Sequence, residues 1–199
     1  MPTGVALRDV REQLFDAAER VLLRDGPSAL TSRAVTAEAG CAKGVLHRHF
    51  TDFDDFLAEL VRDRAARIEG RAAELRGVAG TGDIADHLAE ALSDLFGSVA
   101  VAIVGLVVSR DELRARLRRT TPTGVPILTE ATAMIAGYLA AERALGRLVP
   151  DADPDTLAPM LVGTGHLLFA DRKGTPPTPE TVHRAVRAFL AGVVSQAPR

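Results

Sequence analysis

Apolar positions recur at helical spacing along most of this 199-residue chain. Leu14, Phe15, Ala18, Val21 and Leu22 fall three and four residues apart, so they share a face and predict a helix from about Arg8 to Asp25. Gly26-Pro27 stops it, because Pro cannot continue a helix. Thr31 is placed to cap a second helix with its hydroxyl. Val35 and Ala39 face inward from that helix, and Leu46 and Phe50 from the next. Gly40 lies between the two and tolerates a sharp reversal. Cys41 reads as a small apolar anchor after the turn. Thr51-Asp52-Phe53-Asp54 reads as a capping box that opens a long helix from about Phe53 to Arg76.

The glycine-rich stretch Gly77 to Gly82 breaks that helix. Ile84, Leu88, Ala91, Leu92 and Leu95 then mark another helix, with a bend expected near Gly97. Val99 to Val108 is the most apolar run; it predicts a buried core helix, although a strand also fits. It is far short of the roughly 20 residues of a membrane span. Arg110 to Arg119 predicts a short, solvated helix. Leu128, Ala131, Ile135, Tyr138 and Leu139 mark a helix from about Pro126 to Leu145. Two more run from about Pro154 to Ala170 and from Pro179 to Ser195, the last capped by Thr178 with Pro at its first position. The fold class is therefore all-α.

Composition adds modest limits. A hydrophobic fraction of 47% and a net charge of −2 suit a soluble globular protein. One cysteine excludes an intrachain disulfide and suits a reducing cytosol. No signal-peptide pattern opens the chain, so a cytoplasmic location and no membrane are expected. The histidines lack metal-ligand spacing, and no phosphate-cradling or nucleophile-elbow motif occurs. Neither metal nor cofactor is expected, and an enzyme would need convergent catalytic groups that do not stand out.

Residues 30–57 place a short helix, a glycine turn and a second short helix in helix-turn-helix order. A second helix held in this way can enter the DNA major groove. Residues 1–64 carry nine cations against eleven acids. From Arg33 to Phe50, by contrast, stand three cations, two histidines and one acid, so the positive potential is local.

Leu30-Thr31, Val35, Ala39-Gly40, Lys43-Gly44, Leu46, Arg48-His49-Phe50 and Phe56-Leu57 resemble the DNA-binding domain of the TetR family of bacterial regulators. The resemblance covers about residues 8 to 60. It implies a three-helix reader over 1–52 and a helical effector-binding and dimerisation domain over 53–199. It also implies a homodimeric, ligand-responsive repressor acting on a palindromic operator. Lys43, Gly44, Val45 and His47 are the candidates for base or groove contact, Arg48 and Thr31 for phosphates, and Arg33 and Ala42 complete the DNA-binding set. The implied partners are double-stranded DNA, a second copy through the last two helices, and an unidentified small-molecule effector. For that pairing, Leu157, Leu161, Thr164 and Leu168 form one stripe and Val182, Val186, Phe189, Leu190 and Val193 another, with Gly163 and Gly165 allowing close approach. Candidate pocket residues are His87, Phe96, Ile103, Met134, Tyr138, His166 and Phe169, with ordinary core packing as the competing assignment.

The chain departs from the family pattern at four places. Ala42 stands where a capping Ser is usual, a loss of about 1 kcal/mol of local stability. Thr36 replaces Ala at the helix–helix contact. His47 replaces a phosphate-contacting Tyr, and Phe53 a Lys. Fewer phosphate contacts predict a shallower salt dependence. The rival reading is a helical interaction module with weakened or lost DNA binding.

Overall fold

Ten α-helices account for most of residues 4–170 and 175–195, which are the residues described by the computed structural model. They are α1 (Gly4–Asp25), α2 (Ser32–Glu38), α3 (Val45–His49), α4 (Phe53–Gly77), α5 (Ile84–Phe96), α6 (Ala100–Ser109), α7 (Asp111–Leu117), α8 (Leu128–Ala144), α9 (Pro154–Phe169) and α10 (Pro179–Leu190). The described residues are all-α apart from one isolated antiparallel bridge, Leu148 with Val194. Two compact units divide it. The first is residues 1–64 with 102–126; the second is 65–101 with 127–199.

In the first unit, Leu14, Phe15, Ala18, Val21 and Leu22 of α1 are all buried, as their spacing predicts. They meet Val35, Leu46, Phe50, Phe56, Leu57 and Leu60, which are buried too. The rings of Phe15, Phe50 and Phe56 form a triangle with centroids 5.0 to 6.0 Å apart. Burial of such side chains contributes about 1.5–3 kcal/mol each, an upper figure against an extended chain. Arg64 then fastens α4 to α1. Its side chain is only 7% exposed and pairs with Glu12, Asp16, Glu19 and Asp63.

The capping box at the start of α4 is shifted by one residue from its expected register. Asp52 Oδ1 accepts from the Asp55 N–H at 2.7 Å, and Asp55 Oδ2 accepts from the Thr51 N–H at 3.0 Å. With three acids in this stretch, the sequence fits either frame. Asp54 is left for Arg110, whose Nε donates to it at 2.8 Å. Arg116 reaches Asp52 at 2.8 Å and Asp55 at 3.4 Å. The Arg110–Arg119 segment is therefore not simply solvated: Leu113 and Leu117 are buried, and two of its arginines clasp the start of α4.

In the second unit, α5 buries Leu88, Leu92, Leu95 and Phe96. Val182, Val186 and Leu190 of α10 are buried in this same unit, and α10 packs on α5. Three residues of the α10 stripe, Val182, Val186 and Leu190, are thus covered within the subunit's own core, while Phe189 and Val193 stay half-buried. Gly165 permits α9 to lie close to α5, since a Cβ there would come 2.8 Å from the Phe96 ring. Gly163 is exposed and faces open space. The last helix stops at Leu190, short of the expected Ser195. Gly192, at φ 83°, turns the chain into the bridge, where the Val149 N–H donates to Val193 O at 2.9 Å.

Candidate functional site

The helix-turn-helix is built from short-range signals. Thr31 Oγ1 accepts from the Ala34 N–H at 3.1 Å and caps α2. At the far end, Gly40 adopts φ 65°. The Gly40 N–H donates to Ala37 O at 3.1 Å and the Cys41 N–H to Thr36 O at 3.0 Å, the paired bonds of a Schellman turn. Thr36 is 3% exposed, but its hydroxyl donates to Ser32 O at 3.0 Å, so its burial leaves no polar group unmet. Helix α3 spans only Val45–His49 and has no side-chain cap. A backbone turn, the Val45 N–H to Ala42 O at 2.9 Å, stands in for the missing serine oxygen. Leu46 is fully buried and anchors the helix.

Thr31, Arg33, Ala42, Lys43, Gly44, His47 and Arg48 are exposed, and Val45 is half-buried. The surrounding cations are committed to carboxylates. Arg11 and Arg62 pair with Glu59, Arg20 with Glu38, and Arg24 with Asp25 and Glu38. Arg64 has its four acids. Among the described side chains of residues 10–64, Arg33, Lys43 and Arg48 are the cations without such a partner. The positive potential is therefore concentrated on one short surface, where phosphate contact would be strongest. Phe53 stacks on Phe56 at 5.7 Å, and the Arg110 guanidinium lies 5.4 Å from its ring.

The second unit holds a groove of about 470 Å³. Helix α4 contributes Ile68, Arg71, Glu74 and Leu75, and the turn after it Val78; α5 contributes His87, Glu90, Ala91, Asp94 and Leu95; α8 contributes Met134. Of the expected pocket residues, His87 and Met134 line it. Tyr138 is fully buried behind it, its hydroxyl 2.9 Å from His87 Nδ1. Burial first, and then the neighbouring Glu142 carboxylate, push the Tyr138 hydroxyl far above its ordinary value, so it keeps its proton. The Tyr138 hydroxyl and His87 Nδ1 share a hydrogen bond whose direction follows the imidazole tautomer. Glu142 is itself fully buried and accepts from Arg147 Nη1 at 3.1 Å and from the Gly80 N–H at 3.2 Å. Arg147 also donates to the carbonyls of Thr81 and Gly82. The structure gathers Phe96, His166 and Phe169 elsewhere, at centroid distances of 5.8 and 6.3 Å. Burial lowers the His166 imidazole below its ordinary value, and its Nδ1 has no hydrogen-bond partner. Ile103 is buried and belongs to the first unit.

Residues 14–60 match the sequence model of bacterial regulatory proteins of the tetR family. This stretch, which contains the helix-turn-helix, is similar to the N-terminal domain of that family. Solved structures extend the likeness of fold beyond that domain. FadR from Bacillus subtilis, in complex with stearoyl-CoA, is 21% identical with a TM-score of 0.67, over 92% of this chain and 98% of that one. A Saccharomonospora viridis protein in complex with choline is 17% identical with a TM-score of 0.71, over 95% and 100%. SmeT, repressor of the Stenotrophomonas maltophilia efflux pump SmeDEF, is 19% identical with a TM-score of 0.64, over 93% and 90%. No curated protein sequence matches the chain.

The groove's α4 wall and its carboxylates Glu74, Glu90 and Asp94 were not foreseen from sequence. A signal existed: Ile68 and Leu75 are the large apolar residues in the otherwise charged second half of α4, and Val78 follows just after its end. The Glu142–Arg147 network gave none, because it joins a helix to a distant glycine-rich turn. Among the described residues no cluster of three His, Cys, Asp or Glu side chains could hold a metal. No single described helix is long and apolar enough to cross a membrane.

Proposed function

We propose that this chain is a ligand-responsive transcriptional repressor, acting in the cytoplasm as a homodimer on a palindromic operator and by binding rather than turnover. The carrying observation is the surface around α3, where the unpaired cations Arg33, Lys43 and Arg48 stand beside exposed Thr31 and His47. Lys43 is the best direct reader, because an ammonium can donate to guanine acceptors. Arg48 and Thr31 suit phosphates, and Val45 suits a thymine methyl.

Pairing is supported on α9 more than on α10. Met160 is 55% and Leu167 is 76% exposed, seven residues apart on one face with Gly163 between them. Two-fold symmetry would then match the half-sites of the operator. The groove is of ordinary small-molecule size, and α4 runs through its wall at one end and carries the capped start at Asp52 at the other. An effector that favours a different placement of α4 would weaken operator binding by no more than its differential affinity for the two states.

Selection from random duplexes at low salt tests the reading. An enriched palindrome, bound two chains at a time, is the expected result. A second reading, a helical interaction module with weakened DNA binding, draws on the five-residue uncapped α3 and on Phe53 sitting beneath Arg110. Absence of any enriched duplex would favour it.

A further inference from the structure

We propose that the groove between α4, α5 and α8 takes a cationic amphiphile, a protonated amine carried on an apolar body. The proposal rests on the ligand-responsive reading above. Its floor is apolar: Ile68, Leu95 and Met134 are buried there. Its rim carries three exposed carboxylates, Glu74, Glu90 and Asp94, none with an ion-pair partner among the described residues. One guanidinium, Arg71, opposes them. An anionic head group would meet three like charges for one opposite; an ammonium would meet the reverse.

Two further features point the same way. Glu90 and Asp94 are four residues apart on one face of α5, a like-charge spacing that destabilises a helix, and a bound cation removes that repulsion. One turn earlier on the same stripe, His87 is held by its 2.9 Å bond to the hydroxyl of Tyr138, which is fully buried. The wall at that end is pre-set, so an apolar body can lie along the floor while its charged end reaches the rim.

Calorimetry of the full chain with decylammonium, decanol and decanoate, below their micelle concentrations, tests the ligand class. Decylammonium should bind tightest, and Glu90→Gln or Asp94→Asn should each weaken it by about fivefold, the most that exposed ion pairs usually give. Decanol affinity should stay unchanged in both variants. These side chains are exposed, so the variants fold. Decanoate binding as tightly as decylammonium overturns the proposal, as does no heat from any of the three, or amine affinity indifferent to both substitutions. Operator affinity measured alongside separates the two claims. Carboxylate-dependent amine binding that leaves operator affinity untouched supports the ligand class and rejects the switch. Decanoate that binds as tightly as decylammonium and releases the operator rejects the class and supports the switch.

Discussion

Removing the Lys43 ammonium should change how steeply operator binding depends on salt, and the structure sets the size of that change. Each phosphate neutralised by a cation contributes about −0.9 to the slope of log affinity against log salt. The reader surface offers three unpaired cations per subunit, Arg33, Lys43 and Arg48, hence six in a dimer. If all six neutralise phosphate charge, Lys43 from within the groove and the arginines at the backbone, the slope is about −5, and affinity falls by roughly three powers of ten between 50 and 200 mM salt. Lys43→Ala removes two charges per dimer, so the slope should ease to about −3.6 and the loss to roughly 150-fold. Arg20→Ala is the matched control, because its guanidinium is held by Glu38 at 2.8 Å; it should leave the slope alone. Fluorescence anisotropy with a labelled operator across a salt series measures both. A slope that does not move with Lys43→Ala, or that moves equally with Arg20→Ala, refutes the assignment of free and committed cations.

Three other outcomes follow from the packing. Arg64→Met should leave Glu12, Asp16, Glu19 and Asp63 crowded without their cation; because those acids are partly exposed, a loss of about 3 kcal/mol, the low end for a broken buried pair, is expected. That is a fall of roughly 6–12 °C in Tm by circular dichroism, and a change under 2 °C rejects the clasp. Gly165→Ala should overpack α9 against the Phe96 ring, 2.8 Å from the added carbon, and destabilise by about 1–3 kcal/mol in urea unfolding. His166 is held below its ordinary imidazole value by burial, so the unfolded chain binds more protons; stability is full above that ordinary value and drains away as pH falls beneath it. His166→Leu should therefore lose less stability than the parent between pH 7.5 and 5.5, and an identical pH profile would count against it.

What could be read from sequence was local. Thr31, Gly40, Leu46 and Phe50 act within one turn of their own positions, so the helix-turn-helix emerges from a few neighbouring residues. The start of α4 misled by a single residue because Asp52, Asp54 and Asp55 offer overlapping frames, and only the Arg110 and Arg116 contacts distinguish them. Periodicity marked the apolar stripe of α10 correctly. It could not say whether α5 or another chain covers it, since either neighbour demands the same spacing. The pocket residues scattered for a similar reason. Phe96, His166 and Phe169 are apolar or aromatic positions on helices that do face inward, but toward one another and away from the groove.

The inward turn of the α10 stripe bears on dosage inside a cell. If copies join chiefly through Met160 and Leu167, the union is thin and readily undone, and single chains dominate when the protein is scarce. Occupied operators would then climb with the square of protein abundance, so that a small rise in synthesis closes a promoter sharply and modest dilution during growth reopens it.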